Sequence, residues 1–138
     1  MTGIYVNGSP DINQEIVNVV NAGLFEVGDH SLTHPFLTEL PWQQLMEEVG
    51  GGTAAFTALT GIRTASLLRP PYGHTDATVA EAAGAKGFRY IVLWDIDTSD
   101  WTNISAEEIR NRAVSKAHNG AIVLMHMSAT HTLSLIHI

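Results

Sequence analysis

The sequence has no cysteine, which excludes a disulfide framework and any thiolate metal site. It is also poor in positive charge, with 7 Lys and Arg against 14 Asp and Glu and a formal net charge of −7. No basic patch is left to hold nucleic acid, and that charge disfavours docking on an anionic membrane surface. Charged residues make up only 15% of the chain against 45% hydrophobic ones, a balance that excludes disorder and suits a buried core. No apolar run approaches the roughly 20 residues that cross a bilayer. Met1 leads directly into Thr2-Gly3-Ile4-Tyr5, without the basic and apolar regions of a secretion signal. The 138 residues fit one domain with one core.

What is present alternates between helix and strand signals. Ser9-Pro10-Asp11 predicts a helix start, Ile12, Ile16, Val19 and Val20 follow at helical spacing, and Gly23 closes the helix. Residues 24–27 read as a short buried strand that ends at Gly28-Asp29. A second helical stretch covers residues 41–60, with Leu45, Met46, Val49 and Phe56 as its apolar stripe and a break expected at Gly50-Gly51-Gly52. Residues 66–68 form a strand stopped by Pro70-Pro71, residues 76–86 an Ala-rich helix closed by Gly87, and residues 90–94 a buried strand. Ser105-Ala106-Glu107-Glu108 is a capping box that opens a helix to about His118, with Asn119-Gly120 as its stop. Residues 121–125 are a further apolar strand. Continuous apolar strands alternating with helices predict an α/β domain with a parallel, helix-covered, barrel-like sheet. Polar residues collect after each strand, on the face where a parallel barrel gathers its chemistry.

His30 and His34 are four residues apart, a spacing that on a helical turn brings both to one face and one ion. They follow a strand end and a Gly-Asp turn, which favours ligation over two ordinary loop histidines. Imidazole suits zinc and related first-row ions, and a catalytic zinc asks for a third protein ligand, a carboxylate or histidine from elsewhere. In Arg69-Pro70-Pro71-Tyr72-Gly73 the prolines either simply stop the strand or hold Arg69 and the Tyr72 backbone N–H over a site. There Arg69 would orient a carboxylate and the N–H would serve an oxyanion. The segment Asp95-Ile96-Asp97-Thr98-Ser99-Asp100-Trp101 lacks the Gly and distal Glu of a calcium loop. Asp95 and Asp97 read as caps or Asx turns, and Asp100-Trp101 as a charged partner and hydrophobic wall beside a ligand. His126 ends an apolar strand and reads as a general acid or base. His74 and His118 read as surface residues, His131 is left unassigned, and Tyr5, Trp42 and Trp94 read as packing.

Four segments in order, His30-Ser31-Leu32-Thr33-His34, Arg69-Pro70-Pro71-Tyr72, Asp97-Thr98-Ser99-Asp100-Trp101 and Leu124-Met125-His126, resemble the polysaccharide deacetylases of carbohydrate esterase family four, the NodB-homology domain. The ordered set covers nearly the whole chain. The resemblance implies a distorted (β/α) barrel and a secreted or cell-envelope hydrolase of carbon–nitrogen bonds. It would use metal-bound water to remove N-acetyl or O-acetyl groups from a polysaccharide such as chitin oligomers or peptidoglycan. His30 and His34 would ligate a divalent metal, zinc first, with cobalt or nickel as alternatives. Tyr72 would supply the oxyanion N–H, Arg69 would hold the catalytic base, and Asp100 would tune His126, the general acid. Trp101 and Leu124 would wall the acetyl pocket, with Tyr72 also touching substrate.

The family's Thr-Phe-Asp-Asp segment, which supplies the base and the carboxylate ligand, is absent. Thr2-Gly3 resembles the end of the family's second strand, so Met1 is expected to be internal and the barrel to lack its first strand or strands and its C-terminal elements. Residues 1–132 are then a partial deacetylase domain, and residues 133–138, which read like a translated sequencing adapter, a non-native tail. Such a chain is expected to bind metal weakly and to be close to inactive. The alternatives are a non-catalytic carbohydrate-binding relative and a metal-dependent amidohydrolase acting on non-sugar amides.

Overall fold

The computed structural model describes residues 10–23, 25–126 and 129–132. The expectations for residues 1–9 and for the tail at 133–138 lie outside the described residues. The chain divides into two compact units, residues 1–92 and 93–138.

The first unit opens with α1 (Pro10–Asn21), whose run stops at Gly23, φ 71°. The stretch predicted at 41–60 is two helices, α2 (Trp42–Glu48) and α3 (Gly51–Thr60), parted at Gly50 with φ 87°. The expected break is therefore real, but Gly51 and Gly52 belong to α3. Next come β1 (Leu67–Leu68), α4 (Ala77–Ala85) and β2 (Tyr90–Ile91). Asp76 caps α4 by accepting the Val79 N–H at 2.8 Å. β1 and β2 pair in parallel, Leu67 with Tyr90 and Leu68 with Ile91.

Residues 25–27 are not the strand expected there. That segment makes a single parallel bridge, Asp29 with Leu68, flanked by Ala65 N–H to Val27 O and Arg69 N–H to Asp29 O. The bridge sets Asp29 and His30 beside the end of β1. Leu37, Leu45, Val49, Leu68, Val79, Ala82 and Ala83 form the core, with Leu40, Met46, Phe88 and Ile91 packed against it. Burying each large aliphatic side chain contributes about 1.5–3 kcal/mol.

In the second unit β3 (Ile96–Asp97) and β4 (Val123–Leu124) pair in parallel, Ile96 with Val123 and Asp97 with Leu124. β3 was unexpected, because an Asp-rich segment reads as loop. Between them, α5 (Ala106–Lys116) starts at Ser105, whose hydroxyl accepts the Glu108 N–H. Only that half of the expected capping box forms, since the Glu108 carboxylate instead takes Arg112 at 2.5 Å. Ile96 and Ile109 are buried.

The strands are parallel, as expected of an α/β chain, but shorter and less buried than their apolar runs suggest. Tyr90 is 64% exposed and Ile122 39%. Among the described residues β2 and β4 each have one strand partner, and an apolar run without neighbours on both sides has nothing to pair or pack its remaining residues.

Candidate functional site

His30 and His34 do come together, but not on a helical turn. Residues 30–34 form a bent loop with Ser31 at φ 63° and His34 at φ 70°. The loop is held through its amides, because four consecutive N–H groups are all taken by side-chain oxygens. Ser31 N–H donates to Asp29 Oδ1 at 2.9 Å, Leu32 and Thr33 N–H both to Glu48 Oε2 at 3.0 and 2.8 Å, and His34 N–H to the Ser31 hydroxyl at 3.0 Å. A helix would have given these donors to carbonyls one turn back, so the carboxylates of Asp29 and Glu48 outcompete it. The Glu48 role is not visible in the local sequence, since Glu48 lies 15 and 16 residues from its partners.

Asp29 also does a second job. It is 1% exposed, and its Oδ2 accepts the Thr53 N–H at 2.9 Å, in the first turn of α3. The α3 N-cap, Gly50, has no side chain to offer, so Asp29 caps the helix from across the unit. The close approach explains the glycines. A Cβ at Gly52 would stand 2.5 Å from the Ser31 carbonyl oxygen, and one at Gly51 2.8 Å from the Leu32 Cβ.

The two imidazoles face each other, Nε2 to Nε2 at 3.2 Å. His30 Nδ1 lies 2.6 Å from the Arg69 carbonyl oxygen. A carbonyl only accepts, so Nδ1 carries the proton and Nε2 presents its lone pair. Burial lowers the His30 pKa to about 4, partly opposed by the bond to Arg69 and reinforced by the His34 and Arg69 charges, so the ring is neutral near pH 7. Two nitrogens on a tetrahedral zinc at about 2.0–2.1 Å stand about 3.4 Å apart. The pair therefore fits two positions around such an ion, with His34 in its Nδ1-protonated tautomer. Among the described residues no cluster of three or more His, Cys, Asp or Glu side chains converges as a metal site.

Arg69 and Tyr72 sit beside this pair. Arg69 Nε donates to Val92 O at 3.3 Å, and burial lowers the guanidinium pKa. Among the described residues no carboxylate ion-pairs with it. The contribution of Arg69 that the sequence did not suggest is its carbonyl, which fixes His30. Pro70 and Pro71 are buried, and the turn over Pro71–Gly73 places Tyr72 at φ 59°, an expensive conformation for a bulky residue. The Tyr72 ring meets the His34 ring edge-on at 4.7 Å and stacks on Phe36 at 4.1 Å, while its hydroxyl reaches the His34 carbonyl at 3.4 Å.

The second unit carries a separate pair. His126 Nδ1 lies 2.7 Å from Asp100 Oδ1, and the His126 backbone N–H donates to Oδ2 at 2.6 Å. Thr132, which the sequence did not single out, donates its hydroxyl to the same Oδ2 at 2.5 Å. Burial works to raise the Asp100 pKa, but the bonds from Thr132 and His126, and the His126 charge, leave it below the usual carboxylate value. With Asp100 taking Nδ1–H, the His126 proton that can be exchanged is the one on Nε2. Asp100, Trp101, Asn103, His126, Ala129 and Thr130 line an open hollow of about 310 Å³. Leu124, expected on that wall, is not among them; it is buried, and its carbonyl accepts the Thr98 hydroxyl at 2.8 Å. Asp97 makes the expected Asx turn to the Ser99 N–H at 2.7 Å, whereas Asp95 is no helix cap and accepts the Ile122 N–H at 2.8 Å.

The five non-glycine residues with positive φ among those described are Ser31, His34, Tyr72, Ser99 and Asn103. The first three shape the histidine loop and its neighbour, and the last two flank the turn that carries Asp100 and Trp101. Strain is thus confined to the residues that position the candidate groups.

A family profile described as polysaccharide deacetylase matches residues 1–91. The chain is 41% identical over 112 residues to a bifunctional xylanase/xylan deacetylase of Cellvibrio japonicus, covering 80% of this chain and 16% of that protein. It is 36% identical over 101 residues to the peptidoglycan-N-acetylglucosamine deacetylase of Listeria monocytogenes, covering 73% and 21%. The chain thus spans about a fifth or less of each of these two relatives. Among solved structures it resembles a family 4 carbohydrate esterase from Streptomyces lividans in complex with acetate, with TM-score 0.83 and 36% identity over 98% of this chain and 67% of that one. The chain belongs to the polysaccharide deacetylase family.

Proposed function

We propose that this chain is part of a metal-dependent deacetylase that removes acetyl groups by hydrolysis from an N-acetylated or O-acetylated polysaccharide. The observation that carries the reading is the facing Nε2 pair of His30 and His34 at 3.2 Å, with the His30 tautomer set by the Arg69 carbonyl. His30 and His34 would hold a divalent ion there, zinc or else cobalt or nickel, which would supply Lewis-acid polarisation of the acetyl carbonyl and of a water. Arg69 would orient the carboxylate base, which none of the described residues of this chain supplies, and the Tyr72 N–H would donate to charge developing on the carbonyl oxygen. His126, held by Asp100, gives its Nε2 proton to the departing amine or alcohol, and Trp101 offers an apolar wall to substrate. The names of the relatives support xylan, peptidoglycan and chitin as the substrate class, and polymers of that kind place the enzyme outside the cytoplasmic membrane. Likeness to the Streptomyces structure supports reading the parallel strand pairs as part of a distorted (β/α) barrel.

The 138 residues by themselves are proposed to bind metal weakly and release acetate slowly, residues 1–132 being the deacetylase portion. The test therefore uses protein expressed from the whole uninterrupted reading frame that contains this sequence. Acetate release from acetylated xylan, chitooligosaccharide and peptidoglycan fragments is measured with zinc and with chelator. We expect zinc-dependent release that His30→Ala abolishes. Glycan binding indifferent to chelator, with no acetate released, contradicts the reading and supports a non-catalytic role; turnover of simple non-sugar amides in preference to glycans also contradicts it.

A further inference from the structure

We propose that Glu48 is the positioning residue that sets the spacing of the two metal-binding histidines. The inference rests on the reading of His30 and His34 as metal ligands. Glu48 is the last residue of α2, and a carboxylate in the last turn of a helix opposes the helix dipole. Nothing in α2 itself accounts for an acid there. The compensation lies across the unit. Oε2 accepts the Leu32 and Thr33 N–H groups at 3.0 and 2.8 Å, and Oε1 accepts the Thr33 hydroxyl at 2.6 Å.

These three bonds clamp the middle of the five-residue segment that begins and ends in a ligand. Ser31 and His34 hold positive φ at 63° and 70°, conformations that relax readily once their surroundings are released. Asp29 fixes the entry to the loop through Ser31, and the Ser31 hydroxyl fixes its exit at His34. Among the hydrogen bonds of the described residues, those to Glu48 tie the middle, so Glu48 governs how far His34 stands from His30. Residues that orient ligands in this way commonly control metal affinity by about 10–100-fold.

The experiment is a zinc titration, by calorimetry, of protein expressed from the whole reading frame that contains this sequence, comparing wild type, Glu48→Ala, Glu48→Gln and His30→Ala, with thermal melting of each metal-free protein. Gln retains an oxygen to accept both amides and an amide group to meet the Thr33 hydroxyl. We expect Glu48→Ala to weaken zinc about 10–100-fold and Glu48→Gln to stay within a few-fold of wild type. Metal-free Glu48→Ala should keep a melting transition, since alanine removes the charge that opposes the helix dipole. A Glu48→Ala protein that folds and binds zinc like wild type overturns the inference. Affinity lost only in proportion to a collapse of the folded state, with Glu48→Gln equally damaged, overturns it too. Wild type and His30→Ala giving the same zinc isotherm would instead defeat the underlying assignment of the histidines.

Discussion

Gly52→Ala and Gly84→Ala are the same chemical change inside two helices, and the structure predicts opposite outcomes. In a helix, Gly costs about 0.5–1 kcal/mol relative to Ala. A Cβ at Gly84 meets nothing within 4 Å, so that variant should gain about this amount. At Gly52 the Cβ would lie 2.5 Å from the Ser31 carbonyl oxygen, 3.2 Å from Asp29 Oδ2 and 3.3 Å from the Ser31 carbonyl carbon. The nearest of these is backbone and cannot rotate away, so α3 and the histidine loop must move apart. Overpacking of this kind costs about 1–3 kcal/mol. Set against the helix gain, it leaves Gly52→Ala destabilised by about 0–2.5 kcal/mol. Thermal melting reads both, since 1 kcal/mol moves Tm by roughly 2–8 °C in domains of this size range. Gly84→Ala should melt higher than wild type and Gly52→Ala lower, with weaker zinc binding in the latter because Ser31 adjoins His30. An equal rise in Tm for both variants would refute the close packing of α3 on the loop.

Three further outcomes follow from the same contacts. Asp29→Ala removes the Ser31 and Thr53 bonds together and should cost about 2–4 kcal/mol in urea unfolding; a loss below 0.5 kcal/mol would deny Asp29 its double role. Asp100 has a lowered pKa, so its contribution to stability is complete above its unfolded value near pH 4 and fades as pH falls through the lower folded value. Asp100→Asn should therefore flatten the loss of stability below pH 4, and an unchanged pH profile would contradict the hydrogen-bonded carboxylate. His126→Gln, assayed in the whole reading frame, should lower kcat by about 10²–10⁴-fold while zinc binding stays as in wild type; full activity would remove His126 from the chemistry.

Local chemistry was legible in the sequence, and long-range chemistry was not. The cap at Ser105 and the break near Gly50 depend on residues within one turn of the feature, so inspection finds them. The candidate histidines, Arg69, Tyr72, Asp100, Trp101 and His126 were likewise recognisable by type and order. The shape of the histidine loop was not, because Glu48 reaches it from α2, 15 and 16 residues away, and with the neighbouring Asp29 replaces the helical bonds that the four-residue spacing suggested. Strand lengths were overread at 90–94 and 121–125, where apolar composition exceeds what one neighbouring strand can pair. Thr132 gave no signal, since a lone threonine is ordinary until it is found 2.5 Å from a buried carboxylate.

The central claim, that His30 and His34 are a metal pair, is tested most directly by zinc anomalous diffraction from crystals of the protein soaked in zinc. The account predicts one ion about 2.0–2.1 Å from Nε2 of both histidines, with His30 Nδ1 still bonded to the Arg69 carbonyl. Zinc bound elsewhere, or through His30 Nδ1 with that bond broken, would contradict it.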